Sequence, residues 1–232
     1  MSATVAALYR HPVKSLGEEP LERVTLTPGT ALPWDRTWAV AHGASEWDPE
    51  TAGWAARGNF VAQAHVPELA RITTRWDAAA RRLTLAHPLC PAVALDPDTA
   101  EGAEALTGWL APLAGPMRPG PFRLARRAGG AMTDMPEPYI SLLSTSSLRA
   151  LGQAAGAALA HVRFRGNVWL DGLAPWEEFD LLGREITLGG ARLRVAERIE
   201  RCNATAASPE TGTRDVPVPA ILDRQWGHRD FG

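Results

Sequence analysis

The stretch from Arg198 to Asp215, RIERCNATAASPETGTRD, holds the residue types best suited to metal or anion chemistry in this chain. Cysteine ligates and reacts as a thiolate, and neighbouring guanidinium charge favours that form. Arg201 directly precedes Cys202, and Arg198 lies four residues back. If the segment is extended, Arg198, Glu200 and Cys202 share one face. Ser208-Pro209-Glu210-Thr211-Gly212 then supplies turn residues, so the cysteine falls at a strand end beside a loop. A soft, ionisable ligand beside cationic charge suits a metal or an anionic cofactor. On local sequence alone the competing reading, a small inert core cysteine, is the commoner one. His11, His42, His65, His87, His161 and His228 show no metal-ligand spacing, and no nucleophile elbow, phosphate-binding loop or dinucleotide fingerprint is present.

The whole chain bounds what such a site can serve. Its 232 residues suffice for one large domain or two small ones, and 45% apolar with 22% charged residues is a globular balance. A net charge of -2 gives no global attraction to nucleic acid or to an acidic membrane. No apolar run approaches the roughly eighteen residues of a membrane helix, and the charged N-terminal region does not resemble a signal peptide. Cys90 and Cys202 are the only cysteines. That fits a reducing cytoplasm, and it excludes an internal plant-type iron–sulfur cluster with its four cysteine ligands. Lys14 is the only lysine in an otherwise arginine-based chain, which singles it out.

Periodicity supplies the elements that must position these groups. Thr4–Tyr9 reads as a strand broken at His11-Pro12, with further strands at 21–27 and 36–41. Residues 42–59, with Gly43, Pro49, Gly53 and Gly58, form a long loop. Segments 71–76 and 81–86 form a hairpin, and 88–97 adds a short strand. Asp98 and Glu101 open a helix through Trp109, ended by Pro112 and Gly115, and 115–121 is the linker. A strand at 122–127 precedes a helix at 147–159, capped by Ser144 or Thr145 and weakened by Gly152 and Gly156. A strand at 164–170 follows, then a hairpin of 185–188 with 192–198 about Gly189-Gly190, its second arm delivering Cys202. Short strands with two helices point to a mainly β fold with added helices, of the α+β class. Trp34, Trp38, Trp47 and Trp54 gather around the long loop, as walls of a flat pocket or as ordinary packing.

Five blocks, in order, resemble the MOSC-domain family. YRHPVKSLG (Tyr9–Gly17) resembles the signature of its N-terminal β-barrel domain, and DRTWAV (Asp35–Val40) a following strand. YISLLSTSSLRAL resembles the opening of the MOSC domain proper, RFRGNVWL (Arg163–Leu170) its Arg-Phe-Arg-x-Asn strand, and RCNATAASPETGTRD its cysteine motif. The resemblance implies an N-terminal β-barrel-like domain over residues 1–118 packed on a MOSC β-barrel domain over 119–232, the latter without the family's usual last strands. It also implies a pterin molybdenum cofactor (Mo-molybdopterin), with Cys202 as the metal ligand. The phosphate and pterin of that cofactor suit guanidinium, ammonium, hydroxyl and amide partners. The matching positions are Lys14, Ser15, Arg36, Ser144, Thr145, Arg165, Asn167 and Arg201. Taken singly, without the resemblance, these read as solvated charges and backbone-satisfying polar groups.

Within that family the chain resembles the mitochondrial amidoxime-reducing component and its bacterial relatives, which reduce amidoximes, hydroxylamines and hydroxylated bases. The resemblance therefore implies a cytoplasmic molybdenum-dependent oxidoreductase acting on small N-hydroxylated substrates. It implies an external heme or iron–sulfur electron donor, and no nucleic-acid or membrane partner. The alternative is a molybdenum-cofactor or sulfur carrier without turnover. One departure from the pattern is in NFVAQAHVPELARI, where Ala62 and Ala64 replace the family's Thr-x-Arg and remove a polar wall near the site.

Overall fold

A computed structural model describes residues 3–232. Among them are the strands β1 Thr4–Arg10, β2 Glu19–Leu21, β3 Trp38–Ala41, β4 Thr73–Asp77, β5 Arg82–His87 and β6 Cys90–Leu95. The remaining strands are β7 Arg123–Arg126, β8 Leu142–Ser144, β9 Val168–Asp171, β10 Glu185–Leu188 and β11 Ala191–Arg194. The helices are α1 Ala100–Ala114, α2 Thr145–Ala155 and α3 Val218–Trp226. This is the α+β class expected from the short strands.

The N-terminal core forms where alternation is strictest. β4, β5 and β6 pair antiparallel, and Trp76, Leu83 and Leu85 point inward against Leu106 and Leu110 of α1. α1 is capped by Thr99, whose hydroxyl accepts the Gly102 amide at 3.0 Å. Asp98, the expected cap, is drawn off to Trp38 Nε1 at 2.9 Å and to Arg81 and Arg126. Gly102 is required here, because a Cβ would lie 1.7 Å from the Asp96 carbonyl. The helix also passes its expected end: Pro112 removes one donor, and the ladder resumes with Gly115 N–H to the Ala111 carbonyl at 2.8 Å.

The C-terminal core gathers α2, α3 and β9 about Leu143, Leu151, Phe164, Trp169, Leu222 and Phe231. α2 stops at Ala155, short of the expected 159, because Gly156 takes φ 66°. Gly156 N–H to Gln153 O and Ala157 N–H to Gly152 O, both 3.1 Å, complete a Schellman end. Ser144 holds the N-cap position, but its hydroxyl bonds Ser146 Oγ at 2.7 Å instead of the backbone. α3 has no counterpart among the sequence expectations. Pro217 and Pro219 disguise its start, although proline is tolerated in a first helical turn, and Gly227 at φ 74° closes it.

The two halves exchange strands. β1 pairs antiparallel with β2 and β9, and β9 pairs parallel with β8, in the order β2-β1-β9-β8; β3 pairs with β7. The 118/119 boundary therefore runs through two sheets rather than between them. The strand expected at 21–27 lies at Glu19–Leu21 instead, where Glu19 is pinned by Arg10 and, at 2.8 Å, by the Trp76 amide. Pro20 is admissible there because β2 is an edge strand. The strand expected from Phe164 begins only at Val168, since Arg165 takes φ 52°, outside the extended region. The 185–194 hairpin ends at Arg194 and does not deliver Cys202. Residues 199–201 instead pair with 229–232, through Arg201 N–H to Arg229 O at 2.9 Å and Phe231 N–H to Ile199 O at 3.0 Å. No described helix is long and apolar enough to cross a membrane.

Glu178 carries an unshared carboxylate into the C-terminal core. It is 4% exposed; one oxygen accepts the Ser147 hydroxyl at 2.7 Å and Oε1 has no partner. Burial pushes its pKa up, with the Ser147 bond opposing. A raised carboxylate pKa means that stability is greatest below the unfolded value and falls as pH rises through the folded one. Leaving such a buried acceptor unpaired costs about 1–3 kcal/mol. Glu178→Gln is therefore expected to raise the unfolding midpoint at about pH 8 by roughly 2–4 °C per kcal/mol, with little change at about pH 4. Equal shifts at both pH values would refute the assignment.

Candidate functional site

Four basic side chains from four segments converge where the end of β1, the approach to β9 and the Cys202 loop meet. Lys14, 6% exposed, lies in the turn after β1 and donates to the Met132 carbonyl at 2.9 Å and to Asp134. Arg36 donates to Asp35 and, at 2.9 Å, to the Arg165 carbonyl. Arg165 reaches only carbonyls, those of Gly17, Val13 and Leu16, at 3.4, 3.5 and 3.5 Å. Arg201 donates to the Phe231 carbonyl and, at 3.0 Å, to the Phe164 carbonyl, which brings it beside Arg165.

The charges are not all paired. Lys14 and Arg36 each pair directly with a carboxylate, Asp134 and Asp35, whereas Arg165 feels Glu18, Asp35 and Asp134, and Arg201 feels Asp134 and Asp230, with no direct ion pair among the described residues. Burial brings the pKa of Arg165 down to about 10 and that of Arg201 to about 9, and Arg36 adds to both effects. Both remain charged at neutral pH; the lowering reflects a desolvated cation without a directly paired carboxylate. Burial also holds Lys14 below the lysine range, against the pull of Asp134. Clustered buried guanidinium and ammonium groups are suited to binding an anion.

Backbone strain marks the same place. Of the seven non-glycine residues with positive φ among the described residues, four lie here: Ser15, Trp34, Arg36 and Arg165. Left-handed backbone at such residues costs about 1–3 kcal/mol each and persists only where the surroundings enforce it. Gly17 belongs to the same turn, and a Cβ there would lie 2.3 Å from Thr74 Oγ1.

Half-buried Cys202 opens a short 3-10 turn, Asn203–Ala206, where the Thr205 amide and hydroxyl both donate to its carbonyl, at 3.1 and 2.9 Å. Arg163, 6% exposed, ties the loop at two points. It forks onto Asp215 at 2.8 and 2.7 Å and donates to the Ala207 carbonyl at 3.1 Å. Gln63 donates to the Ala204 carbonyl at 3.1 Å, and Arg214 to the Ala64 carbonyl. The 62–64 segment thus meets the cysteine loop through backbone and Gln63, not through a polar side chain at Ala62 or Ala64.

Of the residues singled out from sequence, Lys14, Arg36, Arg165 and Arg201 come together, with Ser15 in the Lys14 turn and Cys202 next to Arg201. Asn167 adjoins them, but its amide is fully used. Nδ2 donates to the Tyr9 carbonyl at 3.2 Å and to Asp35 at 3.0 Å, while Oδ1 accepts the Ser141 amide and hydroxyl at 3.2 and 2.9 Å. Ser144 and Thr145 lie toward the other end of β9, roughly 10 Å along the strand. Ser144 is level with Leu170, and Thr145 donates to Asp171. Asp35, Asp134, Gln63 and His11 escaped the sequence reading; Asp35 and His11 at least lie inside the motifs quoted above. Trp38 and Trp47 are core residues, 0% and 6% exposed. Trp34 lines a shallow groove of about 510 Å³ with Arg126, Arg127 and Gly129, whose walls include none of the four clustered cations. Among the described residues no three His, Cys, Asp or Glu side chains gather as a metal site. The donor set that is present, one thiol beside clustered positive charge, fits a metal that arrives with its own anionic ligand.

A family model described as the MOSC N-terminal beta barrel domain matches residues 2–109, and one described as the MOSC domain matches residues 129–232. No curated protein matches the chain. With the cationic cluster drawn from both matched regions and the cysteine loop from the second, the chain belongs to the MOSC-domain family, whose domains are associated with molybdenum-cofactor binding.

Proposed function

We propose that this protein holds a pterin molybdenum cofactor and reduces small N-hydroxylated compounds such as amidoximes, hydroxylamines and hydroxylated bases. The observation that supports it best is the Arg165–Arg201 pair, desolvated guanidinium groups with carbonyl partners alone, which favour an anion with fork-shaped acceptors. In this reading Lys14, Arg36, Arg165 and Arg201, with the Ser15 hydroxyl, bind the anionic and polar parts of the cofactor, and Cys202 ligates its metal. When bound, the cofactor supplies the two-electron redox centre at which the N–O bond is broken. The chain's own residues bind and orient. Arg163 and Gln63 hold the cysteine loop, and Asn167 holds Asp35, which in turn holds Arg36. Asn167, Ser144 and Thr145 take supporting places in this scheme, rather than the cofactor contacts that the family resemblance implies.

Electron supply falls to a separate protein in the cytoplasm. Exposed Arg57, His65 and Arg214 and partly buried Arg118 gather beside the cysteine loop, close enough that the three arginines act on the His65 imidazole. Met117, next to Arg118 in the chain, is 52% exposed. A cationic patch on a chain of net charge -2 suits an acidic heme or iron–sulfur donor.

The deciding experiment compares wild type and Cys202→Ala made with cofactor biosynthesis intact. Wild type is expected to carry about one molybdenum and one pterin and to reduce an amidoxime with reduced viologen. Cys202→Ala is expected to lose the metal and to drop by more than the roughly 100-fold typical of losing an outer-shell partner. High salt should slow an acidic protein donor but not viologen. Wild type without pterin or metal sinks the proposal; a loaded protein that turns over no N-hydroxylated probe points to the carrier function instead.

A further inference from the structure

Beneath the cationic cluster lies a buried chain of alternating carboxylates and imidazoles, of which the function proposed above uses only Asp35. Asp35 Oδ1 lies 3.3 Å from His11 Nδ1, His11 Nε2 lies 3.3 Å from Glu18 Oε2, and Glu18 Oε1 lies 2.7 Å from His161 Nε2. The His11 ring is wholly buried and Asp35 is 2% exposed, whereas the His161 ring is 40% exposed and stacks on Tyr9. The chain therefore runs from solvent to the carboxylate that holds Arg36.

A neutral His11 cannot satisfy both neighbours. It has one N–H between two carboxylates, so one ring nitrogen always turns a lone pair toward an acceptor. His11 Nε2 and Glu18 Oε2 face each other, and both lack a hydrogen-bond partner. Only the doubly protonated ring donates to Asp35 and Glu18 together. Burial opposes that state first, and then the Arg36 and Arg165 charges; the bonds to Asp35 and Glu18 favour it but do not prevail, so the His11 pKa stays below its ordinary value. Both carboxylates remain ionised. Burial raises Glu18, yet His11 and His161 hold it at about 2, and Arg36 with His11 keeps Asp35 well below its usual range against burial. Lys14 lies beyond, acted on by the same two arginines.

We propose that His11 is the proton-accepting residue of this site: when an anion binds Arg36 and Arg165, His11 takes up a proton from solvent through His161 and Glu18 and becomes an imidazolium bridging Asp35 and Glu18. The inference rests on the anion-binding reading of the arginine cluster. The anion offsets the guanidinium field that, with burial, keeps the proton out, and the imidazolium then keeps its bond to Asp35 while adding the one that Glu18 Oε2 lacks. Asp35 is thereby fixed, and with it Arg36. Because linkage is reciprocal, acidification tightens the anion by as much as the anion raises the His11 pKa.

The test uses the whole cofactor-free protein with inorganic pyrophosphate as the anion. Calorimetry in buffers of different ionisation heat reads binding and proton uptake together. Between the free and bound pKa values the uptake is expected to approach about one proton per anion. Nitrogen-15 spectra of the histidine rings are expected to show His11 passing from one protonated nitrogen to two. His11→Gln is expected to bind pyrophosphate with no proton uptake or pH dependence beyond that of the anion's own ionisation. Glu18→Gln, which replaces one of the two carboxylates by a neutral amide, is expected to reduce the uptake and serves if the first variant does not fold. Binding without proton uptake, or a His11 already doubly protonated in the free protein, overturns the inference while leaving the anion site intact. Absence of pyrophosphate binding overturns the anion site itself and the inference with it.

Discussion

Arg165→Met is expected to make the cofactor-free protein more resistant to heat while removing much of its affinity for anions. The three carbonyl contacts of Arg165, at 3.4–3.5 Å, are long against the roughly 2.9–3.0 Å of a good N–H···O bond. No carboxylate pairs with it directly; Glu18, Asp35 and Asp134 offset its burial only in part, and Arg36 adds repulsion. Replacing a buried charge by an apolar side chain of similar length is often stabilising, by about 1–4 kcal/mol. The φ of 52° at this position strains methionine as much as arginine, so it cancels from the comparison. Binding moves the other way: losing a hydrogen bond to a charged group costs about 1.5–3 kcal/mol, roughly a 10- to 100-fold loss of affinity. Thermal unfolding with and without pyrophosphate reads both effects in one series. A less stable variant that still binds would show that Arg165 holds the Lys14 turn rather than an anion.

Cutting the Arg163–Asp215 pair from its acidic side is expected to cost more than cutting it from its basic side. Arg163 is 6% exposed and Asp215 40%, so only the carboxylate can return to water when its partner goes. Asp215→Ala strands a buried guanidinium on the Ala206 and Ala207 carbonyls, at a cost of about 3–5 kcal/mol. Arg163→Met leaves a carboxylate that solvent screens and the Ala207 carbonyl short of a donor, since the Ala206 carbonyl keeps the Asp215 amide at 3.1 Å, which amounts to about 1–3 kcal/mol. Both variants loosen the loop that carries Cys202, so its thiol should react faster with a thiol reagent. The Arg163 bond, first among its causes, lowers the Asp215 pKa. The contribution of this carboxylate is therefore present above its unfolded value of 3.8 and is lost as pH falls through the lower folded value. Denaturant melts at neutral and acid pH check this. Equal costs for the two variants at neutral pH would mean that burial is not what separates them.

Much of this protein was legible in its chain. The alternation in 73–77 and 82–87, the Gly189-Gly190 turn and the α+β class depend on neighbours a few residues apart, and local rules recovered them. The cysteine motif and the basic residues Lys14, Arg36, Arg165 and Arg201 were equally plain as sequence. Their convergence was not, because β1 crosses to β9 and β3 to β7, pairings between distant segments that no local pattern announces. Left-handed backbone at Arg36 and Arg165 is imposed by surroundings against intrinsic preference, so composition could not reveal it. Asn167 looked like a free hydrogen-bonding edge until Tyr9, Asp35 and Ser141 were found to occupy it. The chain from Asp35 through His11 to Glu18 and His161 joins positions up to 143 residues apart. What a residue is comes from the sequence; whether its charge is matched, buried or strained depends on what packs around it, and that only the tertiary structure supplies.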